Sequence, residues 1–485
     1  MPGNLPAADT LARRASTVYI WRTMDPDRLL RELMEFLRIP SVSTLPAHNS
    51  DCRRAAEWVA AELRHLGCRD VQFLGNDSHP VVWGVGPEVP GAPTLLLYGH
   101  YDVQPPDPLE EWTAPPFEPA VRNGRVFARG AADDKGQVFC LLKAIEACGR
   151  PPVNFRFLIE GEEENGSKVL FDVLRREPRR TQADAVLVAD MAYVAPGWPA
   201  VYTSLRGICY AELTVRTAES DLHSGEYGGA APNAHEELCR LLGRLKGPDG
   251  RINVPGIYQA VRPPTKAERA LWKKLPFKES EFLTKRVKAK ALVGLKRYSV
   301  LERLWALPTL EIHGITGGFT GDGAKTVIPA VATAKVSLRL VPRQSLRTVE
   351  RQVAVAVRRL APKYVTATVR FLHGADPAVI AVNHPSFALL DQAFREVVGR
   401  GTVAARAGGS IPVIPALRKS GAPVILTGIG LPDDRLHAPD EKLDLQQLWD
   451  GIAVFQRFYE LLGTNGVEGN RRGKPSRGGE EDHRH

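Results

Sequence analysis

Seven acidic and imidazole side chains stand where apolar runs give way to loops. His100 and Asp102 follow TLLLYG at 94–99, Glu163 and Glu164 follow VNFRFLI at 153–159, and Asp190 follows AVLVA at 185–189. His437 lies in the loop after GAPVILTGIG at 421–430, and Asp133 in RGAADDKG precedes a predicted helix from 136. Two imidazoles (His100, His437) and three carboxylates (Asp133, Glu164, Asp190) make a mixed N/O donor set that suits zinc, manganese or cobalt. Five ligands exceed one tetrahedral ion but suit two ions about 3.5–4 Å apart if one carboxylate bridges. Such ions lower the pKa of a bound water from about 15.7 to about 7. At ~1.36 kcal/mol per unit this is on the order of 12 kcal/mol toward hydroxide. Asp102 is spaced to accept the second N–H of His100 and fix its tautomer. Glu163, next to Glu164, can serve as general base toward that water. Taken singly, these residues read as ordinary turns, caps and solvated loops. Only their joint placement at strand ends favours a metal site. His235, His313, His373 and His384 have no such partners and read as structural.

The elements that must position them alternate between strand and helix. Residues 53–67 carry apolar positions at helical spacing and end in Gly67, which suits a C-cap. Residues 136–149 repeat that pattern between the runs at 94–99 and 153–159. Short continuous apolar strands alternating with helices predict an α/β layer with a largely parallel sheet. In such sheets ligands bind outside the carboxyl ends of the strands. The middle of the chain changes character. Strands at 208–217, 310–315, 331–341 and 364–373 and helices at 233–245 and 345–360 give the order βαββαβ of a ferredoxin-like unit, with Ser345 a candidate N-cap. After about residue 377 the α/β pattern resumes and ends in a helix over 443–463. The boundaries are therefore 24–200 and 377–463 for one domain and 201–376 for a second inserted into it. Residues 1–23 read as a polar extension, with Met24 an alternative start, and 464–485 as a flexible tail without periodicity.

The 485 residues are 44% apolar, enough for sizeable cores, and carry a net charge of +9. The basic excess concentrates in 262–304, which reads as a solvated helical excursion within the inserted domain. No aromatic-interleaved basic motif accompanies it, so nucleic acid is not an expected partner. No run approaches the roughly 18–20 apolar residues of a membrane helix, and the N-terminus lacks a signal-peptide layout. The six cysteines form no C-x-x-C pair and read as free thiols of a reducing cytoplasm.

Taken in order, LLLYGHYDVQP, RGAADDKG, EGEEENGS, DLHSGEYGG, GAKTVIP, RAGGSIP and LHAPDEKL resemble the co-catalytic metallopeptidases of peptidase family M20, over about 25–463. The branch of non-specific dipeptidases and carnosinases is the most similar. The resemblance implies a zinc-peptidase-like α/β catalytic domain with an inserted ferredoxin-like lid and dimerisation domain. It implies Asp133 as the bridging ligand, His100 and Asp190 on one ion, Glu164 and His437 on the other, and Asp102 and Glu163 as the catalytic pair. It also implies a cis peptide between Asp133 and Asp134. His223 of DLHSG would reach a partner subunit's site, and Arg339 with the Gly409–Ser410 turn would take the substrate carboxylate, a pairing that suits an arginine fork. Aspartate at 190 resembles the dipeptidase and aminopeptidase branch, whereas deacylases and carboxypeptidases more often carry glutamate. HAPDEKL has Asp440 where relatives often have Asn. The expected function is hydrolysis of dipeptides by a homodimer holding two divalent ions per subunit, zinc first and manganese or cobalt as alternatives. A deacylase of N-acyl amino acids using the same site is the rival, and a non-catalytic binding protein a weaker one.

Overall fold

The computed structural model describes the backbone of residues 24–472 and side chains as far as Thr464. The extension at 1–23 and the end of the expected tail, 473–485, lie outside the described residues. In chain order, a first unit contributes helices α1 (Pro26–Leu37) and α2 (Asn49–His65) and strands β1 (Gln72–Leu74), β2 (Val81–Val85) and β3 (Thr94–His100). It continues with α3 (Lys135–Ala147), β4 (Asn154–Glu160), α4 (Lys168–Arg176) and β5 (Ala185–Ala189). A second unit holds β6 (Gly207–Arg216), α5 (Ala234–Leu245), β7 (Thr309–Gly317), β8 (Val331–Leu340), α6 (Leu346–Leu360) and β9 (Thr366–Ala375). The first unit resumes with α7 (Pro385–Val398), β10 (Val424–Thr427) and α8 (Leu445–Arg472).

The first unit is built on a six-stranded sheet of order β1-β2-β4-β3-β5-β10. β4, β3, β5 and β10 run parallel, while β1 and β2 pair antiparallel at one edge, so the sheet is mixed. β3 and β5 are buried along nearly their whole length, as strands covered on both faces must be. α3 is also buried almost throughout. The register sets His100 opposite Glu160, so β3 and β4 end level with each other and release their loops side by side. Gly67, at φ +80, follows α2 in the left-handed conformation expected of a glycine past a helix end.

In the second unit the strand order is β7-β8-β6-β9, all antiparallel. β6 alternates buried and half-buried residues, and its buried face packs with α5 and α6 around Leu213, Leu238, Val336 and Val357. This is the ferredoxin-like arrangement. Two of the short helices of the basic excursion open with a capping box, Thr265 with Glu268 and Ser299 with Glu302.

Three details depart from the sequence reading. Ser345 sits at the N-cap of α6 without a side-chain cap; the Leu346 N–H donates instead to Asp376 Oδ1 at 2.7 Å. The last helix runs past Thr464 to Arg472, where no periodicity was read. Residues Ala404–Pro415 group with the second unit, because Thr203 donates to the Ala405 carbonyl and the Arg206 N–H to that of Gly409.

Candidate active site

At the end of β3 the chain delivers His100, buried to 1% exposure. Its Nδ1 lies 3.1 Å from the main-chain oxygen of Asp102 and 3.3 Å from Asp102 Oδ1. Its Nε2 lies 3.2 Å from Asp133 Oδ1 without forming a hydrogen bond. The tautomer support expected from Asp102 thus comes first from its backbone. The Asp102 carboxylate has further work: it accepts the N–H of Glu163 at 3.2 Å, that of Glu164 at 3.1 Å, and the Ser43 hydroxyl at 2.6 Å. One buried carboxylate therefore fastens the β3 loop to the β4 loop. At Gly161 a Cβ would come within 2.1 Å of the Tyr101 ring, so only glycine allows this approach.

Asp133 stands in the loop before α3, and the Asp133–Asp134 peptide is cis. Its Oδ2 lies 3.0 Å from His437 Nε2, which is 3.1 Å from Glu164 Oε1. Gln104 donates to the other Glu164 oxygen at 2.8 Å. Asp190 follows β5 directly. Ligand atoms fall into two groups, His100 with Asp133 and Asp190, and Asp133 with Glu164 and His437, each within 4.8 Å. Asp133 belongs to both. All five expected ligands, with Asp102 and Glu163, are brought together at the carboxyl ends of β3, β4, β5 and β10.

The electrostatics are those of an acid cluster short of cations. Burial pushes Asp190 well above the usual carboxylate range, with Asp134 and Asp133 adding like charge. Burial does the same to Glu163, against the pull of His100 and with help from Glu164 and Asp190. Burial and Asp133 also raise Glu164. Burial opposes the ionisation of Asp133, but the close contacts and charge of His100 and His437 hold it below the usual range. Partial burial pulls His437 down, yet Asp133 and Glu164 win and push it up to about 11. His100 Nε2 and Glu164 Oε1 are buried without a hydrogen-bond partner. Orphaned donor atoms in a cluster of excess carboxylate fit divalent cations well.

A third acidic trio, Glu32, Glu62 and Glu146, has similar spacing. There Lys143 Nζ already sits 2.7, 2.6 and 3.1 Å from the three carboxylates.

Within the second unit, Arg339 Nη1 donates to Ser410 Oγ at 3.0 Å, which donates to the Arg206 carbonyl at 2.5 Å. Arg206 Nε donates to the Gly408 carbonyl at 2.7 Å. Arg339, Gly409 and Ser410 thus form one cluster, which Arg206 braces. Burial and then the Arg339 charge push Arg206 down to about 10. Nothing in the sequence marked Arg206. His223 is exposed on the short strand Leu222–His223, its Nδ1 accepting the Gly225 N–H at 3.1 Å. Among the described residues no helix is long and apolar enough to cross a membrane, and all six cysteines are free.

This is the architecture and donor set of a metallopeptidase. The model for "Peptidase family M20/M25/M40" matches residues 96–461. The chain is 33% identical over 458 residues to the Cys-Gly metallodipeptidase dug1 of Schizosaccharomyces pombe, covering 90% of this chain and 96% of that one. It is 30% identical over 467 residues to the Beta-Ala-His dipeptidase of Homo sapiens, covering 91% of each. Among solved structures, the di-peptidase Dug1p of Saccharomyces cerevisiae superposes with a TM-score of 0.83 at 26% identity, covering 93% of this chain and 98% of that one. The chain belongs to peptidase family M20/M25/M40 and is a hydrolase.

Proposed function

We propose that the protein is a di-metal dipeptidase. The observation that carries this reading is the pair of ligand groups that share Asp133. His100 and Asp190 would hold one ion, Glu164 and His437 the other, with Asp133 between them. Zinc suits the donors best, and manganese or cobalt would also be accepted. Bound there, the ions would lower the pKa of a water and polarise the scissile carbonyl. Glu163 takes the water's proton and passes it to the leaving amine. Asp102 holds the His100 ring and the Glu163–Glu164 turn in register. Arg339, Gly409 and Ser410 take the substrate carboxylate, and His223 of the partner subunit stabilises the oxyanion in a homodimer. Six free thiols accord with a cytoplasmic setting.

The test is a hydrolysis screen of chelator-stripped protein reloaded with zinc, manganese or cobalt. Unmodified dipeptides should be cleaved in preference to N-acyl amino acids. Preference for the acylated set, with free amino termini rejected, would make the protein a deacylase instead. Fewer than two bound metal equivalents would refute the di-metal reading.

A further inference from the structure

The loop that carries His437 is closed at two points. At its base, Lys442 Nζ lies 2.7 Å from Asp434 Oδ1, the Lys442 N–H donates to the Asp434 carbonyl at 3.0 Å, and the Leu431 N–H donates to Asp434 Oδ2 at 2.5 Å. Directly before Lys442, at the same base, stands Glu441, which is fully buried. Between Asp434 and Glu441, residues Arg435, His437 and Asp440 all adopt positive φ, near +60°. Non-glycine residues enter that region only when their surroundings hold them there.

Glu441 does not bond within its own loop. Its Oε1 accepts the N–H groups of Ala132 at 2.9 Å and Asp133 at 3.1 Å. Its Oε2 accepts Gly130 N–H at 3.0 Å and Arg129 Nη1 at 2.8 Å. The Glu441 carbonyl in turn accepts the Ala128 N–H at 3.1 Å. Directly after it, Lys442–Asp444 pairs antiparallel with Arg125–Phe127. A single carboxylate therefore gathers the backbone donors of the loop bearing Asp133, from four residues beyond His437.

We propose that Glu441 is a positioning residue that sets Asp133 and His437 against each other and so builds the shared metal pocket before any ion arrives. This rests on the di-metal reading above. Both oxygens of Glu441 face donors only. A glutamine of the same size must therefore turn its amide N–H groups toward either Ala132 and Asp133 or Gly130 and Arg129. The clasp opens on one side without leaving a cavity. Because Asp133 belongs to both ligand groups, the loss should reach both ions. Asp434 braces only the His437 loop, so its loss should reach one.

The experiment is a competition titration of chelator-stripped protein with zinc against a chromophoric chelator, followed by cobalt absorption spectra. Glu441→Gln should weaken both zinc equivalents by about 10–100-fold, and Asp434→Asn one of them. Val357→Ala, in the core of the second unit, should lower Tm and leave zinc affinity unchanged. Folded Glu441→Gln protein that binds both equivalents at wild-type affinity would overturn the proposal. So would a loss no larger than that of Val357→Ala. Hydrogen exchange on the wild-type protein gives a second measurement should Glu441→Gln fail to fold. The Ala132 and Asp133 amides should already be protected without metal. Fast exchange that slows only on zinc addition would show that the pocket is not prebuilt. A wild-type protein that binds no zinc would instead refute the di-metal reading, a separate outcome.

Discussion

Two acidic clusters in the first unit invite comparison. Around Lys143, three glutamates converge on one ammonium that the chain itself supplies. Glu146, though half-buried, is held below the usual carboxylate range by Lys143 and Arg28. At the strand ends, Asp133, Glu163, Glu164 and Asp190 gather with only two imidazoles, and burial raises three of them. Similar spacing thus has opposite meanings. A carboxylate cluster that contains its own cation is a structural knot. One that lacks a cation, and leaves donor atoms unbonded, is built for a cation from outside.

The sharpest way to test that contrast is to remove function from one cluster and structure from the other. Glu163→Gln should keep both metals, since Glu163 is not among the grouped ligand atoms, while turnover falls by about 10²–10⁴-fold. A near-wild-type rate in steady-state assays would remove Glu163 from the role of base. Lys143→Met should do the reverse. It leaves three glutamates without their shared cation, and the loss should be about 2–3 kcal/mol, reduced from the roughly 3–5 of a fully buried pair because the glutamates are partly solvated. Denaturant melts would show this, with zinc stoichiometry unchanged. The smallest effect concerns protons. His437, at about 11 in the metal-free protein, is raised above its unfolded value of about 6.5. The stability it contributes is complete below about 6.5 and is lost as pH rises through about 11. Metal must therefore displace a proton at neutral pH. Calorimetry in buffers of different ionisation enthalpy should find about one proton released from this site, and zinc affinity should fall as pH is lowered. No proton release would mean that His437 is not a ligand.

Much of this site was legible in the chain. His100, Asp190 and the Glu163–Glu164 pair follow apolar runs, and a buried strand's end is where a loop must emerge. That Asp133 belongs to both groups of potential ligands was not legible from spacing, because it depends on a contact with His437 across 304 positions. It came from resemblance. The ferredoxin-like order was readable because each of its strands alternates or runs apolar. The antiparallel edge was not, since β1 is three half-buried residues. Ser345 holds the N-cap position but makes no side-chain cap, while Asp376, thirty positions beyond Leu346, accepts the Leu346 N–H. Glu441 and Arg206 escaped notice for the same reason: their partners are distant backbone groups, and nothing local announces them.

Asp102 carries a consequence for how such an enzyme can change over generations. The same residue meets the ring of His100, first through its main-chain oxygen and then through its carboxylate, and caps the turn that presents Glu163. A substitution there perturbs nitrogen donor and proton acceptor together. Drift at this position is therefore not a path by which a lineage can retune one without the other. On the proposed reading, Arg339 and Ser410 of the second unit meet the substrate carboxylate, so variety in substrate choice is expected there.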